Sequence, residues 1–160
     1  MKYRELGRTG LKVSEIGMGC EGFVDKSYEQ VKEFVDVMEE GGVNCIDLYA
    51  PNPDMRSNLG RALRGRRERF VLQAHLCTVW DDGQYKRTRN IEQVKASFED
   101  QLKRRETDHV EIGMIHYVDS LADWEQVKDG PVMKYAQELK ASGAIGCIGL
   151  SSHNPQAAQK

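Results

Sequence analysis

The sequence predicts an α/β fold built on a parallel sheet. Five short apolar segments recur along the 160 residues, amphipathic helical stretches alternate with them, and capping or turn residues separate the two. Parallel strands in that order need right-handed helical crossovers, either in a doubly wound sheet or in a (β/α) barrel, and periodicity does not choose between them.

The opening residues 4–14 hold short extended runs around a Thr9-Gly10 turn, which predicts a small hairpin. Residues 15–20 form a short glycine-containing strand. Ser27 and Gln30 have capping-box spacing before a helix that places Val31, Phe34, Val35 and Met38 on one face, and Gly41-Gly42 ends it. Residues 43–49 read as the second strand, followed by a loop with Pro51 and Pro53 and a short helix around Leu59, Ala62 and Leu63. Residues 70–75 are the third strand. Asn90 and Gln93 repeat the capping pattern before a helix with Ile91, Val94, Phe98 and Leu102 on one side, and residues 110–116 are the fourth strand. Val132, Tyr135, Ala136 and Leu139 mark the next helix, closed by Gly143. Residues 144–150 are the fifth strand, and Asn154-Pro155 starts another helix, proline being favoured at a first helical position.

Composition narrows the function classes. A net charge of −2 and a pI near 6.1 offer no basic face to nucleic acid, and the stretches Arg64-Gly65-Arg66-Arg67 and Lys86-Arg87 read as solvated loop and helix ends. No apolar run approaches the roughly 20 residues of a membrane span, and the first residues lack the apolar stretch of a secretory signal, so the expected setting is soluble and cytoplasmic. Cys20, Cys45, Cys77 and Cys147 are widely spaced with no C-x-x-C pair, which argues against a zinc site or redox dithiol, and three of them sit in predicted strands, where buried reduced thiols are expected.

Particular residues then choose the barrel. The run from Tyr3 to Ser14 resembles the opening hairpin of bacterial aldo-keto reductases. Gly17-Met18-Gly19 resembles that family's first barrel strand, Asn44-Cys45-Ile46-Asp47 the second, Leu59-Gly60-Arg61-Ala62-Leu63 the helix after it, Ile115-His116 the fourth strand, and Ile148 to His153 the fifth. The resemblance implies a (β/α)8 TIM-barrel type fold, with residues 1–160 supplying the hairpin and about five strand-helix units of one incomplete barrel. Details including Ser151-Ser152-His153-Asn154 resemble a bacterial subgroup whose longer members carry a ferredoxin-like iron-sulfur domain after the barrel. This sequence has no such cysteine cluster, so an iron-sulfur cluster is expected only in a longer chain.

In such barrels the chemistry sits at the C-terminal ends of the strands. Asp47 and Tyr49 end the second strand, His75 the third and His116 the fourth, so these four are the candidate catalytic residues. The resemblance implies a tetrad of Asp, Tyr, Lys and His that protonates a carbonyl as NADPH delivers hydride. Asp47 and His116 match it, but Asn52 stands at the tyrosine position and His75 at the lysine position. Tyr49 is the candidate substitute donor, with His75 or His116 as acid-base partner. A tyrosine at a strand end is also read as an amphipathic core residue, and a single histidine as hydrogen-bonded structure. For the cofactor the resemblance implicates Gly19, Cys20, Ser151 and Ser152 near the nicotinamide. Trp80 and Tyr117 are candidate pocket walls.

The resulting expectation is an NADP(H)-dependent oxidoreductase acting on a small carbonyl or alcohol. A redox-inactive nucleotide- or ligand-binding barrel, and an elimination or isomerisation enzyme, are the alternatives. Five parallel strands leave two open edges, which predicts either a longer chain or a homodimer that covers them.

Overall fold

The computed structural model of the protein describes residues 1–159. An antiparallel hairpin, β1 (Tyr3–Glu5) and β2 (Lys12–Ser14), precedes β3 (Gly17–Gly19), a 3-10 turn over Cys20–Phe23 and α1 (Tyr28–Gly41). Then come β4 (Cys45–Leu48), α2 (Pro53–Ala62), β5 (Val71–Leu76), β6 (Thr78–Asp81), β7 (Gln84–Arg87) and α3 (Ile91–Arg104). The chain continues with β8 (Val110–Ile115), α4 (Leu121–Lys128), α5 (Pro131–Ser142), β9 (Ile145–Leu150) and α6 (Pro155–Ala158).

Five strands form one parallel sheet in the order β3-β4-β5-β8-β9. Each pairs with the next main strand in chain order, as in the wall of a (β/α)8 barrel; a doubly wound sheet reverses its order at a switch point. The structure thus makes the choice that periodicity leaves open. The core lies between sheet and helices. Ile46, Leu48, Leu72 and Ala74 are buried there with Val35, Met38, Leu59 and Phe98. Side chains alternate along a strand, so Asp47, Gln73 and His75 project to the opposite, barrel-inner face.

The caps act as the sequence predicts at α1. Ser27 Oγ accepts from the Gln30 amide and Gln30 Oε1 accepts from the Ser27 amide, closing a full capping box. At α3 Asn90 caps alone, because Gln93 Oε1 accepts from the Thr88 hydroxyl instead. Phe34 is not part of the core face of α1: it is 45% exposed. Two elements are absent from the sequence reading, α4 and the β6–β7 hairpin. The hairpin turns on Asp82-Gly83, both with positive φ (51° and 72°), the conformation that matches the twist of paired strands.

Gly60 sets the spacing between α2 and α3. A Cβ there would lie 2.6 Å from Arg105 Cα, so only glycine lets the two helices approach this closely.

Candidate active site

The site forms where the parallel strands end. Asp47 sits one residue before the end of β4, His75 one residue before the end of β5, His116 directly after β8 and Ser151 directly after β9. Parallel register brings these positions level. His116 N donates to Leu76 O and Ser151 N to Ile115 O, so the ladder runs on to the site residues themselves. After β5 the chain turns at Cys77, a buried residue with φ of 71°, and enters β6. The hairpin then carries Tyr85 and Arg87, two apart on one face of β7, over the strand ends.

A continuous hydrogen-bonded row crosses the site. Asp47 Oδ1 lies 2.9 Å from His75 Nε2, and His75 Nδ1 lies 3.0 Å from His116 Nδ1. His116 Nε2 lies 2.9 Å from the Tyr85 hydroxyl, whose oxygen accepts from Arg87 Nε at 3.1 Å. Ser151 Oγ is 3.0 Å from His116 Nδ1 and accepts from the Tyr117 amide. Tyr49 stacks on the His116 ring at 5.8 Å between centroids, and its hydroxyl donates to Glu21 Oε1 at 2.6 Å. Glu21, Tyr49, His75, Tyr85, His116 and Ser151 surround a cavity of about 370 Å³, with Arg87, Ser152 and His153 completing its wall. That volume falls within the range of small-molecule sites.

The charges in this row are ordered. Burial alone pushes the Asp47 carboxyl up, but the hydrogen bond and charge of His75, with help from Gln73 and Arg105, hold it below the usual range, so it is a carboxylate. Burial, reinforced by His75, Arg87, Arg89 and His153, pushes His116 down to about 4, so its ring is neutral at ordinary pH. The Glu21 carboxylate, followed by partial burial, pushes the Tyr49 phenol up to about 12.

The structure brings together Asp47, Tyr49, His75, His116, Ser151 and Ser152 around one cavity or its direct hydrogen-bonded shell. It does not bring in Cys20, whose side chain is in the core, 1% exposed, with burial holding the thiol up at about 12. Gly19 lies at the end of β3 beside Asp47, and a Cβ there would meet nothing, which leaves the strand end open. Trp80 does not wall this cavity; it lines a separate groove with Pro51 and Pro53. Tyr117 packs its ring under Arg89, 3.9 Å from the guanidinium, and is absent from the cavity wall. Asn52, which the resemblance places at the family's tyrosine position, is buried and caps α2 by accepting from the Met55 amide at 2.9 Å. Tyr85 and Arg87 are the functional candidates that the sequence reading misses. Arg87 is exposed, as expected of a solvated residue, but it stands in β7 with its side chain at the cavity wall. Asp82-Gly83 after Thr78-Val79-Trp80 is the hairpin signal that leads to both.

Residues 15–160 match the model of the Aldo/keto reductase family. The chain belongs to the aldo-keto reductase family. It is 28% identical over 165 residues to aldo-keto reductase YhdN of Bacillus subtilis, covering 95% of this chain and 47% of that protein. It is 26% identical over 171 residues to L-glyceraldehyde 3-phosphate reductase of Escherichia coli, covering 100% and 48%. Among solved structures, aldo-keto reductase AKR11C1 from Bacillus halodurans in its holo form superposes with a TM-score of 0.84 at 26% identity, over 99% of this chain and 53% of that one. The Pseudomonas aeruginosa protein PA4992 gives 0.81 at 31% identity, over 94% and 60%. This aldo-keto reductase chain therefore spans about half the length of the curated relatives it matches.

Proposed function

We propose that the protein is an NADP(H)-dependent oxidoreductase that interconverts a small carbonyl compound and its alcohol. The carrying observation is the row Asp47–His75–His116–Tyr85, which gathers acid-base groups at the strand ends beside one cavity. Family membership supports the cofactor class, and two related proteins named as reductases support the reaction type.

The nicotinamide end of the cofactor fits the residues present. Its amide needs polar partners at a strand end beside the reacting carbon, and the Ser151 and Ser152 side chains face the cavity that His116 and Tyr49 wall. The cofactor, when bound, supplies or accepts hydride. The chain's own residues handle the proton and the orientation. Ser151 holds His116 by its Nδ1, so that Nε2 meets the Tyr85 hydroxyl at the cavity wall, where the substrate oxygen would sit. Asp47 fixes His75, which in turn fixes His116.

The test is NADPH consumption by protein purified from its native host, offered aldehydes, ketones and quinones. Turnover that falls at least about 100-fold in Asp47→Asn, the usual scale of an acid-base contribution, is the expected result. A folded protein that binds NADPH but turns over none of these substrates refutes the proposal and favours a binding barrel. The resemblance puts Asn52 and His75 at the family's tyrosine and lysine positions, and that departure supports the second reading. Product analysis showing an isomer or an elimination product instead of a reduced one would establish non-redox chemistry.

A further inference from the structure

We infer that Tyr85 is the group that exchanges a proton with the substrate oxygen, and that His116, His75 and Asp47 form a relay that sets the direction of the exchange. This rests on the hydride-transfer reading above. The site holds two tyrosines, and geometry separates them. The Tyr49 hydroxyl is tied to a carboxylate, which opposes release of its proton. The Tyr85 hydroxyl is held between an imidazole nitrogen at 2.9 Å and a guanidinium N–H at 3.1 Å, a cation placed where phenolate charge develops.

Hydrogen-bond logic fixes the order of protons along the row. Ionised Asp47 only accepts, so His75 Nε2 carries the hydrogen facing it. With one ring proton His75 Nδ1 is bare, and the 3.0 Å contact then requires His116 Nδ1–H as donor, its hydrogen shared with Ser151 Oγ at the same distance. His116 Nε2 is consequently bare and accepts the Tyr85 hydroxyl hydrogen. In this state the relay takes a proton: a substrate hydroxyl gives its hydrogen to Tyr85 oxygen, Tyr85 passes its own to His116 Nε2, and His116 passes its Nδ1 hydrogen to His75 Nδ1. The substrate C–H would pass its hydrogen, with the bonding electron pair, to the oxidised nicotinamide, the C–O bond becomes C=O, and the pair of imidazoles holds one extra proton.

That extra proton reverses the row. His75 now donates from Nδ1 to His116, His116 donates from Nε2 to Tyr85 oxygen, and the Tyr85 hydrogen is free to point at a carbonyl. Reduction runs from this state: the carbonyl carbon gains hydride, its oxygen gains the Tyr85 proton, and the relay returns to neutrality. The groups facing the two imidazoles are Asp47 from β4, Tyr49 after it, Tyr85 and Arg87 from β7, Arg89 before α3, Tyr117 after β8 and His153 after β9. Arg87, Arg89 and His153 oppose the extra proton and Asp47 favours it.

Nitrogen-15 NMR of the histidine rings at pH 8, together with turnover of Tyr85→Phe and Tyr49→Phe, tests the inference. We expect hydrogen on Nε2 of His75 and on Nδ1 of His116 in the wild type, an order lost in Asp47→Asn. We expect Tyr85→Phe to keep its circular dichroism spectrum and lose about 100-fold or more in turnover. Hydrogen on His75 Nδ1 or His116 Nε2 at that pH overturns the relay. A Tyr85→Phe protein that keeps its rate, with the loss falling on Tyr49→Phe instead, overturns the assignment of Tyr85. If the wild type turns over no carbonyl or alcohol, the hydride-transfer reading fails, while the ring protonation pattern still decides the relay.

Discussion

Replacing Arg105 with methionine should make the protein more stable. Arg105 follows α3 and is 2% exposed, in a place lined by apolar and cationic neighbours. Its Nη2 reaches Leu48 O at 3.5 Å, at the limit of a hydrogen bond, while Nε and Nη1 are buried without a partner. Burial, with Arg56 and Arg67 adding repulsion against weaker attraction from Cys20 and Asp47, lowers the guanidinium from its ordinary value to about 9. That drop corresponds to roughly 5 kcal/mol as an upper bound on the cost of keeping the charge inside. A base whose folded value is lowered carries this cost in full below about pH 9, and the cost fades as pH rises through 9. Methionine fills a similar length without charge, and exchanges of this kind stabilise by about 1–4 kcal/mol. At about 2–4 °C per kcal/mol for a chain of this size, Tm should rise by about 2–16 °C in scanning calorimetry at pH 7. The contrasting variant is Arg56→Met. Arg56 is equally buried but donates to Ser97 O and Asp100, so its loss should cost about 1–3 kcal/mol. A Tm for Arg105→Met at or below wild type would show that the guanidinium is effectively partnered and would refute the reasoning.

Three further outcomes follow from other parts of the fold. Gly60→Ala should destabilise by up to about 2 kcal/mol in urea titration, because a Cβ pressed on the Arg105 backbone costs about 1–3 kcal/mol against about 1 kcal/mol gained in helix propensity. Asn52→Ala should lose about 1 kcal/mol by removing the α2 cap; an unchanged unfolding midpoint would mean the cap is dispensable. His116 is a base lowered from 6.5 to about 4, so the unfolded chain binds its proton first as pH falls. Stability should therefore decline by roughly 3 kcal/mol between pH 6.5 and pH 4, and His116→Gln should flatten that part of the curve; equal slopes in both proteins would contradict the lowered value.

Much of the scaffold is legible in the sequence because its signals are local. Ser27 and Gln30, Gly143, and the apolar spacing of Val132, Tyr135, Ala136 and Leu139 each act within a few residues, and each performs in the structure as its spacing predicts. The failures have equally physical causes. Phe34 shares the helical period of the core residues but lies at the margin of the buried stripe, where period alone does not separate contact from exposure. The strand β6 carries no strict alternation, so the Asp82-Gly83 turn that folds it onto β7 goes unread, and Tyr85 goes with it.

The sequence by itself determined the alternation of strands and helices, the family, and the placing of Asp47, His75 and His116 at strand ends, since these depend on neighbours in the chain and on motif order. Only the tertiary structure decided that the five strands pair in unbroken chain order, that Asn52 serves as a cap, and that Tyr85 joins the two histidines. The row's partners lie 28 to 41 residues apart in sequence. No local pattern encodes such contacts: they arise from parallel register, which brings strand ends level, and from a left-handed turn at Cys77 that swings the hairpin across them.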